Sequence, residues 1–135
     1  MMFSLSILLL IVSIYSCYTI LNERPFSEDI ISSSSEIAIS SEGLLQDFLE
    51  DEQEANATYV EKIIEVEGKV KEVTFLNDRY TVLLHSGTNM AYVMCDMRTE
   101  QAALVKELKE GDVVRLKGIF KGFLMDAIML NCVLL

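Results

Sequence analysis

The most regular alternation of apolar and polar side chains lies in the range Lys62–Phe75. Ile64, Val66 and Val70 alternate with charged residues, and this period of two predicts a strand with one buried face. Gly68 stands in the apolar phase near the middle of this long strand. A glycine at such a place marks a bend or a close approach of another backbone. Long, glycine-bent first strands are typical of small closed barrels, in which one strand serves two sheets.

Further strands and a helix are predicted in the rest of the chain. Thr99 caps a helix that Gly111 ends, with Leu104, Val105 and Leu108 on its apolar side. In the strand before it, the small apolar side chains Ala91, Val93 and Cys95 are expected to face inward. Alternation between turn residues predicts four strands, Arg79–His85, Met90–Met97, Asp112–Phe120 and, approximately, Met125–Leu134.

Ahead of these strands, residues 41–57 are predicted to form an amphipathic helix. Ser40 or Ser41 caps its N-terminus, and Glu42 places negative charge in its first turn. We expect its apolar stripe to close one end of the barrel, and binding of a partner is the alternative. The stripe consists of Leu44, Leu45, Phe48 and Leu49.

Residues 22–41 have the composition of an acidic, serine-rich tether. Pro25, a serine run at 32–35 and several carboxylates favour an extended or mobile segment. Its isoleucines do not fit that composition, and they either contact a partner or are simply tolerated. These residues are Ile30, Ile31, Ile37 and Ile39.

Residues 1–21 contain no charged side chain. As a helix, a segment of this length spans about 30 Å, roughly the core of a bilayer. An uncleaved transmembrane anchor is the favoured interpretation, because no Lys or Arg forms the basic region of a secretory signal. The alternatives are a lipoprotein signal, in which Cys17 after Ser16 is lipidated, and a buried helix. The expected location is therefore a membrane, with residues 42–135 on its extracytoplasmic side.

The negative charge of the chain is concentrated near its N-terminus. Residues 1–55 hold one basic residue against ten acidic ones, whereas residues 56–135 hold ten against eleven. This second part lacks the positive charge typical of a nucleic-acid-binding domain. No cofactor or metal is predicted, because three scattered cysteines do not make a zinc site.

Three strands, a helix and two further strands is the element order of the oligonucleotide/oligosaccharide-binding (OB) fold. The predicted fold class is therefore mainly β. It is a five-stranded OB-fold Greek-key barrel with a helix between strands 3 and 4, preceded by an N-terminal helix and a membrane-anchor helix. Four short motifs stand in a characteristic order. They are KIIEVEGKV at 62–70, VMC at 93–95, LKEGDVV at 108–114 and LNCVL at 130–134. Through them, about residues 43–135 resemble the tRNA_anti-like family of bacterial OB-fold proteins. The resemblance implies the fold and no established catalytic residues.

A stripe of basic and aromatic side chains is the candidate ligand site. Lys69 and Lys71 point outward on the first strand, beside basic side chains of the fourth strand, which pairs with it in this fold. Such a stripe suits backbone contacts and base stacking. Pairing with Glu65 and Glu67 across the strands explains the same residues as a solvated surface, and this interpretation is favoured. The ligand-binding candidates are Lys69, Lys71, Phe75, Arg79, Tyr80, Tyr92, Arg115, Lys117, Lys121 and Phe123.

The remaining chemistry is sparse. Strands 3 and 5 are neighbours in an OB barrel, so Cys95 and Cys132 either form a disulfide in an oxidising compartment or remain two buried thiols. No base is placed to activate a cysteine, and the single histidine, His85, ends a strand. The predicted function is a non-catalytic, membrane-tethered binding module for a protein or glycan partner. Weak, largely sequence-independent binding of single-stranded nucleic acid is the alternative.

Overall fold

The computed structural model describes residues 7–16, Ile30 and residues 33–135. Residues 7–16 form a helix, α1, whose apolar side chains are exposed. Among the described residues, none of the helices combines the length and the apolar composition required to cross a bilayer. Cys17, the predicted lipidation site, and the two ends of the predicted anchor lie outside the described residues.

Five strands close a barrel by pairing in the order β2-β3-β4-β6-β5 and back to β2. All neighbouring pairs are antiparallel except β4 and β6. This arrangement confirms the predicted barrel, and each predicted strand overlaps an observed one. The strands are β2 (Ile63–Leu76), β3 (Arg79–Leu84), β4 (Val93–Met97), β5 (Val113–Leu124) and β6 (Asp126–Leu134).

Strand β2 serves two sheets, as its length predicts. Its first half, from Ile63 to Lys69, pairs with β5, and its second half, from Val70 onward, pairs with β3. The irregularity between the halves lies between Val70 and Glu72 rather than at Gly68. Gly68 instead permits a close approach, because a Cβ there would overlap the hydroxyl of Ser41. That hydroxyl donates a 2.5 Å hydrogen bond to the carbonyl of His85.

Side chains of alternate residues fill the barrel interior in rows that cross the strands. One row runs through Val82, Cys95, Met129 and Phe120, which are paired in register and wholly or almost wholly buried. The intervening residues of β3 and β4 face outward and are half-buried. The period-two prediction for these strands, with Val93 and Cys95 inward, is therefore confirmed.

Two helices, rather than the predicted single one, close one end of the barrel. Helix α2 (Ser41–Glu50) and helix α3 (Glu52–Tyr59) are separated at Asp51, whose backbone is extended. The Asp51 carboxylate accepts a 3.1 Å hydrogen bond from the Glu54 amide and so caps α3. Ser40 is the observed cap of α2, through a 3.0 Å bond from the Gly43 amide. Phe48 of α2 stacks on Phe120, with 5.3 Å between ring centroids.

The end of the predicted tether is part of the folded unit. Residues Ile37–Ser40 form strand β1, which pairs in parallel with Ile64–Glu67 on the edge of β2. Ile30 is 4% exposed and packs with Ile119, Val133 and Ile63 on the outside of the barrel. Composition predicted a mobile segment because serine and acid dominate it. Ile30, Ile37 and Ile39 nevertheless supply apolar contacts that hold the described end of this segment against the barrel.

The helix predicted after Thr99 is shorter than expected. It consists of a 3₁₀ turn (Thr99–Gln101) and one α-helical turn, α4 (Ala102–Val105). Val105 is buried, but Leu104 is 57% exposed. Gly111 has a φ of 91° and ends the connection, as its position predicts.

Candidate ligand-binding face

The outer surface of β3, β4 and β6 carries a row of apolar side chains. Leu83 pairs with Met94, and Met94 pairs with Ile128, so the three side chains lie side by side on three strands. All three are half-buried although they face away from the barrel interior. The next row, formed by Thr74, Thr81 and Asp96, is polar. We call the two rows together the β3–β4 face.

Three side chains form a cluster beside the apolar row. The ammonium of Lys71 lies over the ring of Tyr92, 5.2 Å from its centroid. His85 meets the same ring edge-on, with 6.2 Å between the centroids. The Tyr92 amide donates a 2.9 Å hydrogen bond to Asp126 at the start of β6, which fixes the tyrosine backbone. A cation over an aromatic face is attracted by the ring quadrupole, so Lys71 and Tyr92 hold one another at this edge of the face.

The β2–β3 hairpin forms the other end of the β3–β4 face. Phe75 and Tyr80 are cross-strand partners with ring centroids 4.6 Å apart. Arg79 makes a 2.7 Å ion pair with Asp96, and its Nε donates a 3.2 Å hydrogen bond to the same carboxylate. Arg79 therefore already has a carboxylate partner that offsets its charge.

The remaining basic candidates lie on the opposite part of the barrel. Lys121 contacts both carboxylate oxygens of Glu61 at 3.0 Å, and Arg115 lies 3.7 Å from its cross-strand partner Glu67. Lys117 is 7% exposed, and its ammonium donates a hydrogen bond to the carbonyl of Ser33. The structure thus leaves Lys117 on the outside of the barrel but covers it with the segment before β1, which corrects its predicted accessibility to a ligand.

Only part of the predicted stripe forms one surface. The structure places Lys71, Arg79 and Tyr92 on the outer side of β2, β3 and β4. Phe75 and Tyr80 pair in the inward phase of Val82, and Tyr80 packs against the core. Arg115, Lys117 and Lys121 lie around β2 and β5.

Two further candidates lie apart from that group. Phe123 packs on Phe48 of α2, with centroids 5.4 Å apart, so it is a core residue rather than a ligand platform. Lys69 is exposed, and within residues 33–135 it makes no ion pair.

The charge of the folded unit also differs from the prediction. Helices α2 and α3 pack onto the barrel, so their carboxylates belong to the same body as the strands. Residues 33–135 hold ten Lys or Arg against eighteen Asp or Glu. The unit is therefore clearly acidic rather than almost neutral, which opposes the approach of a polyanion.

Sequence reasoning missed the apolar row as a site. Leu83 shares its phase with Arg79 and Thr81, so an apolar side chain among outward polar ones was the available signal. Met94 was predicted to face outward, but its alignment with Leu83 and Ile128 depends on the pairing of three strands. The position of His85 at a strand end gave no indication of its contact with Tyr92, because only the tertiary structure brings the two rings together.

No cluster of metal-binding side chains is found in the described part of the chain. Within these residues, no three or more His, Cys, Asp or Glu side chains are grouped to hold an ion. Cys95 and Cys132 are buried, unbridged thiols.

A hydrogen bond between α2 and α3 perturbs one ionisable group. The hydroxyl of Tyr59 donates to Asp47 at 2.5 Å. Burial, followed by the hydrogen bond and the negative charge of Asp47, raises the pKa of Tyr59 to about 12. Folding therefore favours the neutral phenol, because the unfolded chain ionises near the ordinary pKa of about 10.

This perturbation predicts a loss of stability in alkali. The contribution of Tyr59 is complete below pH about 10 and disappears as the pH rises towards the folded-state pKa of about 12. The thermal midpoint of the wild type should consequently fall more steeply over this window than that of Tyr59→Phe. Tyr80→Phe, which removes a hydroxyl elsewhere, is the control and should keep the wild-type slope. Equal slopes for the wild type and Tyr59→Phe would contradict the assignment.

The fold and its exposed outer face define a small OB-fold binding domain. The chain belongs to the tRNA_anti-like family, whose family model matches residues 1–134. This confirms the family suggested by the sequence motifs. No functionally curated protein matches the chain.

Three solved structures resemble the chain at low sequence identity, and the first of them shares its fold. A candidate nucleic acid-binding lipoprotein of Klebsiella pneumoniae is 17% identical, with a TM-score of 0.60 over 72% of this chain and 90% of its own. Aspartyl-tRNA synthetase of Entamoeba histolytica is 10% identical, with a TM-score of 0.46 over 76% of this chain and 25% of its own. The Stn1–Ten1 complex of S. pombe is 13% identical, with a TM-score of 0.43 over 54% of this chain and 57% of the matched one.

Proposed function

We propose that the chain is a non-catalytic binding module that holds an extended ligand on the β3–β4 face. The observation that carries this proposal is the apolar row of Leu83, Met94 and Ile128 on the outer surface. In OB folds the corresponding strands and the two flanking hairpin loops contact the ligand. Here the hairpin tips stand at opposite ends of β4, and their exposed apolar residues are Phe75, Leu76, Leu124 and Met125.

A protein segment is the ligand that this surface suits best. Aliphatic and thioether side chains gain free energy by removing apolar surface from water, and they do not require charge on the ligand. The paired state of Arg79 and the acidity of the folded unit both reduce attraction for phosphates. An extended segment with apolar side chains at alternate positions would place them against the row while its polar side chains face solvent. A glycan remains the second choice within this class of partner.

Single-stranded nucleic acid is the second candidate function. The similarity to the candidate nucleic acid-binding lipoprotein of Klebsiella favours it. The contact between the Lys71 ammonium and the Tyr92 ring also favours it, because a cation and an aromatic ring can bind a phosphate and a base. Lys69 adds an exposed charge on the same strand. A few lysines and rings would give weak binding that depends strongly on salt.

Attachment to a membrane through residues 1–21 is also part of the proposal. Support comes from the absence of charged side chains in this segment and from the apolar surface of α1, residues 7–16. Under this proposal the binding module works at the extracytoplasmic side of a bacterial envelope, on a partner near the bilayer. The mass of the chain from membranes tests the lipid alternative, because lipidation at Cys17 adds a mass that Cys17→Ser removes.

The protein-ligand proposal predicts a defined set of peptides. A phage-displayed library of extended peptides, selected on the purified chain, should yield sequences with apolar residues at alternate positions. Met94→Glu should weaken these peptides by about tenfold or more, because a carboxylate at the centre of the row must be desolvated on binding. Leu104→Glu is the matched control, since Leu104 is exposed on α4 and outside the face. Equal loss in both variants, or none in either, would exclude the β3–β4 face as the site.

A salt titration with labelled oligo-dT and oligo-rU tests the nucleic-acid candidate. If that candidate holds, binding seen at low salt should weaken steeply as salt rises, and Lys71→Gln should reduce the dependence on salt. Lys106→Gln, an exposed lysine outside the face, should not change it. Absence of binding at low salt rejects this candidate and leaves the peptide experiment unaffected.

A further inference from the structure

Two cysteines occupy neighbouring strands inside the barrel. Cys95 of β4 and Cys132 of β6 both have 0% exposure. The two strands pair in parallel, with Cys95 opposite Met129 and Met97 opposite Cys132. A shift in the register lies between these pairs, and the two cysteines stand diagonally across the two strands on the interior surface. Both side chains therefore point into one small region of the core.

The surroundings of this region leave room for the sulfur atoms. A Cβ at Gly118 would lie 2.6 Å from the Sγ of Cys132, so the absent side chain of Gly118 makes the space that this sulfur occupies. Both thiols belong to the same buried core cluster. The two cysteines therefore lie on adjacent strands in one part of the core, and a bond between them requires a backbone adjustment that closes the diagonal distance.

We propose that Cys95 and Cys132 are the site of a disulfide that forms while the barrel folds in an oxidising compartment and that ties β4 to β6. The oxidant is a small-molecule or protein disulfide. One cysteine thiolate attacks it and releases one oxidant thiol, and the second cysteine then attacks the mixed disulfide and releases the other. Two S–H bonds are broken and one S–S bond forms, while two electrons and two protons pass to the sulfurs of the oxidant.

The burial of the two thiols determines when the disulfide forms. Burial raises the pKa of the Cys132 thiol well above its ordinary value, so the folded protein holds little thiolate and its sulfurs are inaccessible. The exchange therefore belongs to folding, before the barrel closes over the pair. Once formed, the bond fixes β4 against β6, and these strands carry Met94 and Ile128 of the β3–β4 face.

Oxidative refolding of the Cys17→Ser chain tests the proposal, because this background leaves only the two barrel cysteines. The chain is refolded with mixed oxidised and reduced glutathione, then unfolded in N-ethylmaleimide and weighed. The expected mass is about 2 Da below that of the reduced chain, the loss of two hydrogen atoms, with no maleimide added. Reduction before trapping should allow two maleimides to add.

Two comparisons complete the test. Adding Cys95→Ser to the same background should abolish the loss of two hydrogens, and the oxidised parent should unfold at higher denaturant concentration than the reduced parent. Addition of two maleimides to the oxidised, refolded parent would overturn the proposal. Glutathione adducts or disulfide-linked dimers in place of the internal bond would overturn it as well. The deciding readouts, the mass and the number of maleimides added, are made on the Cys17→Ser parent chain itself, so misfolding of the Cys95→Ser variant would not obscure the result.

Discussion

Phe120→Ala is expected to lower the free energy of unfolding by about 3–5 kcal/mol, the usual cost of removing a buried phenylalanine. Phe120 has 0% exposure, and its ring lies 5.3 Å from that of Phe48 and 6.1 Å from that of Tyr59. The substitution therefore opens a cavity where α2 and α3 meet the barrel. It also removes aromatic contacts that hold the two helices in place.

Denaturant unfolding measures the Phe120 effect, and the chain contains its own control. Phe75 is 58% exposed at the tip of the β2–β3 hairpin, so Phe75→Ala deletes the same atoms with little loss of buried contact. It should cost less than about 1 kcal/mol. Similar losses for the two variants would mean that α2 and α3 do not depend on the Phe120 contact for their packing.

Gly68→Ala is expected to destabilise the fold by about 1–3 kcal/mol, although alanine suits a strand better than glycine does. The added Cβ would overlap the hydroxyl of Ser41 and lie 3.0 Å from its Cβ. Ser41 cannot easily move away, because it is 3% exposed and its hydroxyl bonds to the His85 carbonyl. Strand β2 and the start of α2 must then separate.

A double-mutant cycle identifies the cause of the Gly68 effect. Ser41→Gly removes the two nearest atoms that the new methyl group meets, at the loss of one hydrogen bond, and leaves only the Cβ of Leu84 at 3.3 Å. The pair Gly68→Ala with Ser41→Gly should therefore be more stable than the sum of the single effects predicts. Simple additivity would show that Gly68 is needed for strand conformation and not for the close approach.

The interior of the barrel was the part most open to prediction. Alternation in β2, β3 and β4 assigns Val66, Val82 and Cys95 to the core, because successive side chains of a strand point to opposite faces. The turn residues delimited the strands along the chain, and the resulting order of strands and helix indicated the OB fold. The break at Asp51 was less accessible, since one aspartate is compatible both with the exposed side of a helix and with a cap.

For the candidate binding surface, the sequence predicted several of its residues but not how they are arranged. Arg79 and Tyr92 were candidates because of their chemistry, but Arg79 is paired with Asp96 and Tyr92 lies under Lys71. In both pairs the two residues are distant in sequence, so local sequence patterns do not predict the contact. Lys117 is the clearest case, because its burial depends on a segment more than eighty residues earlier, before β1.

Sequence alone determined the barrel strands and the inward faces of β2, β3 and β4, because every residue of a strand contributes to the local alternation. Short motifs in a characteristic order identified the family. Only the tertiary structure decided that residues 37–40 add a sixth strand, that Gly68 makes room for Ser41, and that the lysines of β2 and β5 have different surroundings. Those outcomes depend on contacts between distant segments, and such contacts are set by the packing of the whole barrel.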